Sequence, residues 1–276
     1  MVGSAALLAM NDAVSKFLSE TYPVGQILGL RHTVALLIIL AYVHWGPGWA
    51  ALRVTDRWGQ ALRALIFVGT TGLIVLSLSV LPLATVTAIG FSSPIFVVML
   101  SGPLLGEAVG PRRWMAALLG FAGVLIIVRP GTVGFDWLVA LPALAALVAG
   151  LRDSVTRRLS RTETSISILF WSTALVILTS ATTAPFGWER VVPQDIVWFV
   201  LNGALNAGAH FLMIDALRLG DASLVSPFRY TGIVWAAILG LVVWGHFPDA
   251  WTLAGSAVIV ASGVYIVERE AGRRAR

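Results

Sequence analysis

Ten apolar runs of roughly twenty residues dominate this sequence and limit what it can fold into. A helix that crosses the hydrocarbon core of a bilayer needs about 20 mostly apolar residues. Of the 276 residues, 58% are hydrophobic and only 12% are charged, whereas a soluble domain carries about 25% charged residues. The sequence therefore predicts an all-α integral membrane protein with ten transmembrane helices, spans 1 to 10. These spans lie near residues 2–19, 25–45, 62–80, 84–104, 112–129, 136–153, 165–184, 195–214, 222–243 and 251–268.

Two stretches in different halves of the chain repeat one pattern at a fixed offset. Residues 78–106 and 216–244 each join two apolar runs through a short link with a small residue, Ala84 or Ala222. In both stretches hydroxyl side chains and a proline follow two or three turns later. The two alanines are 138 positions apart. A fixed offset of this kind indicates an internal duplication.

The positions of the basic residues predict which side of the membrane each link faces. Cytoplasmic links of membrane proteins are enriched in lysine and arginine. With a cytoplasmic N-terminus, only Lys16, Arg129 and Arg190 fall on the other side, and Arg31 and Arg229 lie within spans. Both termini are therefore predicted to be cytoplasmic. The fourteen arginines assigned to the cytoplasmic side are Arg53, Arg57, Arg63, Arg112, Arg113, Arg152, Arg157, Arg158, Arg161, Arg218, Arg269, Arg273, Arg274 and Arg276.

These assignments divide the chain into two repeats of opposite orientation. The first repeat covers residues 1–130 with spans 1 to 5, and the second covers residues 131–276 with spans 6 to 10. Because each repeat holds an odd number of spans, the second must enter the membrane from the opposite side. Inverted repeats are frequent in secondary transporters, whose related halves rock around a site near the bilayer midplane. The sequence therefore favours a transporter.

Two segments resemble the repeat signatures of the EamA family in the drug/metabolite transporter superfamily. The first signature is similar to residues 84–130, ATVTAIGFSSPIFVVMLSGPLLGEAVGPRRWMAALLGFAGVLIIVRP. The second is similar to residues 215–270, DALRLGDASLVSPFRYTGIVWAAILGLVVWGHFPDAWTLAGSAVIVASGVYIVERE. The resemblance covers essentially the whole chain and implies ten helices, with spans 1, 3, 4, 6, 8 and 9 around a central cavity, and transport without ATP hydrolysis. Among family members, the chain is most similar to bacterial exporters of aromatic and other neutral amino acids.

Polar residues in spans 1 and 8 are the first candidates for a substrate site. A charge at the centre of a membrane helix costs about 2.5–3.5 kcal/mol on insertion scales, so polar groups there are functional candidates. Asn202, Asn206 and His210 recur every four residues and form one polar stripe on span 8, while Asn11 and Ser15 share a face of span 1. We predict that these five side chains line the cavity. The alternative is hydrogen bonding between helices, and His210 could also couple transport to protons.

Spans 4 and 9 provide further candidates at matching depths. Ser226, Arg229 and Tyr230 lie in the first turns of span 9, and Phe91 and Ser92 occupy the equivalent zone of span 4. A guanidinium at this depth can bind a substrate carboxylate with its forked donors. We therefore predict that these five residues also bind substrate. The alternatives are an arginine that reaches the headgroups and serines that bond to their own backbone.

Two further charged pairs have structural interpretations. Asp12 and Lys16 are four residues apart in span 1 and can form an ion pair. Lys16 can alternatively extend to the membrane interface. Arg31 and His32 lie early in span 2 and are predicted to orient that span against span 1.

The leading hypothesis is an alternating-access exporter of small metabolites in the bacterial inner membrane, foremost of aromatic and other neutral amino acids. Such a substrate needs apolar walls for its side chain and polar groups for its ammonium and carboxylate. The alternative is an uptake carrier of the same fold for a vitamin or nucleoside-like metabolite, because transport direction follows gradients that the sequence does not encode.

Other classes of function are disfavoured. The chain has no cysteine, its four histidines lack HExxH spacing, and it contains no GxxxxGK[ST] phosphate loop. We therefore expect no catalytic residue, metal or cofactor. The expected partners are a small-molecule substrate and the lipid bilayer, with no nucleic acid, and the sequence is compatible with a homodimer.

Overall fold

The computed structural model describes residues 1–106, 110–128, 137–220, 222–245 and 249–274. Within these residues the chain is helical, and short links and 3-10 turns join successive helices. The α-helices of this part of the chain are α1 (Val2–Ser19), α2 (Val24–Trp45), α3 (Arg57–Val80), α4 (Leu83–Gly90), α5 (Ser93–Leu105), α6 (Pro111–Val128), α7 (Ala140–Leu159), α8 (Ser165–Ala181), α9 (Ile196–Leu219), α10 (Ala222–Val225), α11 (Gly232–Trp244) and α12 (Ala250–Arg274).

Each predicted span coincides with helical structure, but spans 4 and 9 are broken. Span 4 is divided into α4 and α5 at Phe91 and Ser92, where Pro94 has no N–H to continue the helical ladder. Span 9 is divided into α10 and α11 by the 3-10 segment Ser226–Thr231, which contains Pro227. The two breaks lie at equivalent points of the duplicated pattern, so both halves of the chain share the same irregularity.

Four helical segments of the described chain are long and apolar enough to cross a membrane. The helix α1 falls short of this group because Asn11, Asp12 and Lys16 lower its hydropathy. The number of crossings and the cytoplasmic position of the termini stay predictions. The four segments are Val24–Trp45, Arg57–Val80, Trp137–Leu159 and Pro193–Leu219.

The helix contacts are conserved when each helix of the first half, α1–α6, is exchanged for its counterpart in the second half, α7–α12. The helix α1 packs on α9, and its counterpart α7 packs on α3. Likewise α1 packs on α11 while α7 packs on α5, and α2 packs on α9 while α8 packs on α3. In the pairs α2–α8 and α6–α12, each helix packs on its own counterpart, so the exchange leaves these pairs unchanged. The two halves are therefore related by a pseudo-two-fold operation, as an internal duplication requires.

Glycines end the broken spans in the same way in both halves. Gly106 follows α5 with a φ of 67°, and Gly245 follows α11 with a φ of 66°. This left-handed conformation is accessible to glycine at little cost and is a common end for a helix. The two residues are 139 positions apart, one more than the offset between Ala84 and Ala222.

A group of contacts that we call the Tyr22 clasp joins the two halves at one end of the bundle. The Tyr22 hydroxyl donates to Asp195 at 2.6 Å and accepts from the Val192 N–H at 3.1 Å. The Gln26 amide donates to the Glu189 carbonyl at 2.7 Å and accepts from the Glu189 N–H at 2.8 Å. The hydrogen bond to Asp195 raises the pKa of Tyr22 above its usual value, so the phenol stays protonated at neutral pH.

A second group of contacts, the Glu163 clasp, makes the equivalent connection at the other end of α2. The helix α2 has 22 residues and is therefore about 33 Å long at 1.5 Å per residue. One Glu163 carboxylate oxygen accepts from the backbone N–H groups of Thr55 and Asp56 at 2.6 and 2.7 Å. The Thr164 hydroxyl donates to the Ala51 carbonyl at 2.7 Å. Glu163 follows Tyr22 in the sequence by 141 residues. Each end of the molecule therefore has one clasp between the two halves, at positions related by the offset of the duplication.

Glycines allow close contacts between helices, and Gly203 and Gly150 are two examples. A Cβ atom on Gly203 of α9 would lie 2.5 Å from the Val34 Cβ and 2.6 Å from the Arg31 carbonyl oxygen on α2. A Cβ atom on Gly150 of α7 would lie 2.6 Å from the Phe96 Cβ on α5. Small residues that allow backbones to approach are typical of helix packing in membranes.

We expect the substitution Gly203→Ala to lower the thermal midpoint of the detergent-purified protein. The added methyl group would force α2 and α9 apart, and overpacking of this kind costs about 1–3 kcal/mol. The matched control is Gly69→Ala on α3, where a Cβ atom would meet no heavy atom within 4 Å of the described structure. The control should melt at or slightly above the parent midpoint because alanine favours the helix. Equal losses for both variants would contradict this packing argument.

Candidate functional site

Among the residues that the structure describes, one acidic and one basic side chain line a cavity between the two halves. Its walls come from α1, α3, α4, α7 and the break in span 9, and most of its lining is alanine and other apolar residues. The charged groups are Asp12 and Arg229, Thr87 adds a hydroxyl, and Phe91 adds an aromatic ring. Five of the six spans that the family resemblance implies therefore contribute to this cavity, and span 8 is the exception.

The cavity is contracted in this conformation. Its free volume is about 90 Å³, whereas small-molecule pockets are typically about 300–1,000 Å³. A metabolite-sized substrate can enter only if the surrounding helices move apart. The breaks at Phe91 and Ser226 lie beside the cavity and interrupt the helices where such a movement would need freedom.

Asp12 points its carboxylate at the cavity and is not paired with Lys16, so the predicted ion pair is wrong. The Lys16 ammonium instead donates to the carbonyls of Leu78 and Leu81, each at 3.0 Å, at the end of α3. A cation there satisfies carbonyls that have no partner within the helix. Among the residues that the structure describes, none donates a hydrogen bond to Asp12. Its carboxylate is left available to the cavity.

Arg229 is held beside the cavity by a buried ion group. Asp153 on α7 is fully buried and accepts from the guanidinium of Arg229 through one oxygen. Its other oxygen accepts from Arg152 at 2.8 and 2.9 Å. Removing one partner of a buried ion pair is strongly destabilising because it leaves an uncompensated charge. Arg229 therefore has a fixed position in the cavity wall and does not extend to the headgroups.

Asn11, Ser15 and Asn202 form a buried network that links α1 to α9. The Asn11 amide donates to the backbone carbonyl of Asn202 at 3.0 Å and to its side-chain oxygen, and the Asn202 amide donates to Ser15 at 3.0 Å. Arg31 on α2 donates to Ser15 at 2.9 Å and to Thr71 on α3. These contacts are hydrogen bonds between helices, the alternative that the sequence left open for this stripe.

Asn206 and His210 continue the stripe into the bundle. They are 1% and 5% exposed, and within the described structure the Asn206 side-chain oxygen and the His210 Nδ1 have no hydrogen-bond partner. The His210 ring meets Phe67 edge-on at 4.8 Å, and His32 meets the same ring at 5.8 Å from centroid to centroid. Neither Asn206 nor His210 is part of the cavity wall in this conformation.

Arg63 is buried in the bundle, so its assignment to a cytoplasmic link is wrong. Its guanidinium donates to Thr156 at 3.2 Å and to Ser172, and it lies 4.8 Å from the centre of the Phe67 ring. Arg152 is also an interior residue, at 2% exposed. Both arginines lie several residues inside helices that begin or end beyond the predicted spans. Removing them leaves twelve arginines against three basic residues on the other side, so the predicted orientation keeps its support.

The networks of Arg31 and Arg63 occupy equivalent positions in the two halves. In the exchange described above, α1 and α7 are the first helices of their halves, α2 and α8 the second, and α3 and α9 the third. Each network connects a first, a second and a third helix, and each holds a buried guanidinium with hydroxyl or amide acceptors. The cation stands on the second helix in one network and on the third helix in the other. The equivalent residues are Ser15 and Thr156, Arg31 and Ser172, and Asn202 and Arg63, at offsets of 141, 141 and 139.

Of the other predicted site residues, Phe91 and Arg229 lie in the cavity wall. Ser92 is buried and donates to the Ile89 carbonyl at 2.7 Å, which was the alternative for this serine. The side chains of Ser226 and Tyr230 lie outside the described part of the structure. Asp12 and Thr87 were missed. The position of Asp12 in span 1 could have identified it as a site residue, because an intramembrane carboxylate without a fixed partner is a functional candidate.

The comparisons with known proteins agree with this architecture. The model of the EamA-like transporter family matches residues 1–129 and 136–268. The chain is 27% identical to an S-adenosylmethionine uptake transporter of Rickettsia bellii (strain RML369-C), over 94% of this chain and 89% of the relative. It is 29% identical to a riboflavin transporter of Rhizobium johnstonii, over 99% and 91%. A pseudopaline exporter of Pseudomonas aeruginosa is 27% identical, over 95% and 92%.

A solved crystal structure shares the fold. Its chain superposes with a TM-score of 0.73 at 22% sequence identity, and the alignment covers 100% of this chain and 97% of the other. At this identity the likeness concerns the fold. Together with a family match that extends over both halves, it shows that this multi-pass membrane protein belongs to the EamA-like transporter family.

Proposed function

We propose that this protein is a carrier of the bacterial inner membrane for a small zwitterionic, nucleoside-like metabolite such as S-adenosylmethionine. The observation in the structure that supports a zwitterionic substrate is the presence of Asp12 and Arg229 in the wall of one otherwise apolar cavity. In low-dielectric surroundings, opposite charges on a substrate would each find a complementary group. Transport would proceed by alternating access between the repeats 1–130 and 131–276.

The chemistry of such a substrate matches the cavity group by group. S-adenosylmethionine carries a carboxylate, an ammonium and a sulfonium beside its adenosine. The Arg229 guanidinium would bind the carboxylate with charge-assisted hydrogen bonds, and Asp12 would face the cationic groups. Phe91 and the alanines would contact the base and the aliphatic chain. The polar residues of α1 and α9 would hold these helices together in the contracted conformation. That they line the cavity in an opened conformation stays a prediction for Asn11, Ser15, Asn202, Asn206 and His210.

This proposal follows the alternative hypothesis from the sequence more closely than the leading one. The relatives are named for S-adenosylmethionine, riboflavin and pseudopaline, and these names support a vitamin or nucleoside-like substrate better than a simple amino acid. The amino-acid head group that motivated the leading hypothesis is nevertheless part of S-adenosylmethionine. The named relatives include uptake transporters and an exporter. We therefore propose that the substrate gradient across the membrane sets the direction of transport.

The proposal is tested by counterflow into proteoliposomes that contain unlabelled S-adenosylmethionine. We expect labelled S-adenosylmethionine to accumulate, and S-adenosylhomocysteine, which lacks the sulfonium charge, to compete less well. Phenylalanine and riboflavin serve as the comparison substrates. Counterflow of riboflavin or phenylalanine into vesicles preloaded with the same unlabelled compound, without counterflow of S-adenosylmethionine, would contradict the proposed substrate class while leaving the carrier function in place.

The substitution Asp12→Asn should reduce the transport of a cationic substrate by at least tenfold. A hydrogen bond to a charged group contributes about 1.5–3 kcal/mol, which corresponds to roughly 10–150-fold in affinity. The matched control is Glu20→Gln, which removes a carboxylate from an exposed position just beyond α1. Initial rates in proteoliposomes, corrected for the amount of reconstituted protein, provide the measurement. Normal transport by the Asp12 variant would exclude a role for this carboxylate in substrate binding.

Alternating access also gives the two clasps a role. The Tyr22 clasp and the Glu163 clasp join opposite halves at opposite ends, so opening the cavity to one side would require one of them to loosen. In a rocking mechanism the other clasp would then be retained. Both clasps are formed in the structure, which agrees with the contracted cavity between them.

The substitution Glu163→Ala should loosen one end of the molecule and tighten the other. It removes the acceptor for the N–H groups of Thr55 and Asp56, so hydrogen exchange over residues 53–58 should accelerate at least tenfold. Exchange over residues 190–196 should slow because the population shifts toward the state in which the Tyr22 clasp is closed. Tyr22→Phe is the reciprocal variant and should give the opposite pattern. Faster exchange at both ends in either variant would indicate general destabilisation and contradict coupled clasps.

A further inference from the structure

A groove on the outside of the bundle, between α3 and α8, has features of a ligand site that transport does not require. It has a volume of about 430 Å³ and is separate from the central cavity. Its floor and walls are apolar and include Ala61, Ala64, Leu175 and Leu178, and the Trp171 ring forms one side. The Trp171 indole N–H donates to the Leu52 carbonyl at 3.1 Å, which fixes the ring at the mouth of the groove.

The end of the groove near the start of α3 is polar. Arg57, the first residue of α3, is exposed and lines this end. Gln60 lines it as well and is only 4% exposed. Its amide nitrogen donates to the Ser167 carbonyl at 2.9 Å, but in the described part of the chain no donor reaches its buried side-chain oxygen. A buried acceptor without a partner costs free energy, so the groove lacks a donor that a ligand can supply.

The surrounding surface carries excess positive charge. Arg53, Arg57, Arg158 and Arg161 are exposed at this end of the bundle. The acidic groups beside them are engaged in capping backbone N–H groups: the Glu163 carboxylate accepts from Thr55 and Asp56, and the Asp56 carboxylate accepts from Gly59. Basic clusters at a membrane interface attract anionic lipid headgroups. The helix α3 is long and apolar enough to cross a membrane, and such a crossing would put its first turn at the level of these headgroups.

We propose that this groove binds an anionic phospholipid whose headgroup carries a hydroxyl, such as phosphatidylglycerol. The phosphate accepts hydrogen bonds from Arg57, and the headgroup O–H donates to the Gln60 side-chain oxygen. One acyl chain lies along Ala61, Ala64 and Leu178. The site holds lipid whatever the transported substrate is, so it stands independently of the proposed function.

The test measures lipid retention by native mass spectrometry and the thermal midpoint of detergent-purified protein with added lipid. Dioleoylphosphatidylglycerol should raise the midpoint by several degrees more than dioleoylphosphatidylcholine, and one molecule should be retained. Arg57→Gln should lower the retention at least fivefold, and Ala61→Leu should do so by filling the groove from an exposed position. Arg158→Gln is the matched control, because it removes an exposed arginine outside the groove and should retain the lipid.

Phosphatidylmethanol, which has the same charge but no headgroup hydroxyl, separates the two parts of the proposal. Retention about fivefold below that of phosphatidylglycerol supports the bond to Gln60, and equal retention contradicts it. Equal stabilisation by phosphatidylglycerol and phosphatidylcholine would overturn the site. Equal losses for the Arg57 and Arg158 variants would also overturn it, since they would indicate attraction to the whole basic surface.

Discussion

The structure depends on how charges are compensated inside a bundle that lies in hydrocarbon. An ionised side chain in such surroundings is stable only with partners that satisfy its charge and its donors. Asp153 holds Arg152 and Arg229 in one buried group. The buried guanidiniums of Arg31 and Arg63 have hydroxyl and amide acceptors from neighbouring helices. These partners come from several helices, so the charges fix the helices against one another.

The compensation is distributed in a way that joins the two halves of the chain. The network of Arg31 reaches Asn202 through Ser15, and the guanidinium of Arg63 reaches Thr156 and Ser172. Each network therefore crosses between the halves, and duplication has placed the two networks at equivalent positions. Asp12 differs from these residues because its carboxylate faces the cavity and accepts no hydrogen bond from the residues that the structure describes. In our account, a cationic group of the substrate completes its charge compensation during transport.

The sequence predicted the architecture well because hydrophobic run length and repeat offset are properties of the chain alone. The helices follow the predicted runs, and the prediction of interior arginines was correct for Arg31 and Arg229. It failed for Arg63, because a residue near the end of an apolar run can lie either in a link or well inside a helix that extends beyond the run. The helix α3 begins at Arg57, where Asp56 caps it, and this extension brings Arg63 into the bundle.

The candidate site was predicted less well because spacing defines a face of a helix but not the neighbour that this face meets. Asn202, Asn206 and His210 do share a face, but Asn202 on that face bonds to α1 and His210 contacts Phe67 on α3. Asp12 lies one residue from Asn11 and so points to a different side, toward α4, α7 and Arg229. The partner of Lys16 could not be read from α1 at all, because it is the end of α3, more than sixty positions away in sequence.

The most direct test of the central claim is protection of the cavity wall by substrate. The chain has no cysteine, so Thr87→Cys introduces a single thiol at the cavity, with Ser79→Cys at an exposed position on α3 as the control. The account predicts that S-adenosylmethionine slows modification of the cavity thiol by a small methanethiosulfonate reagent, with half-protection near the concentration that half-saturates transport, and leaves the control unchanged. Saturating transport without protection of the cavity thiol would show that the substrate passes elsewhere and would contradict the account.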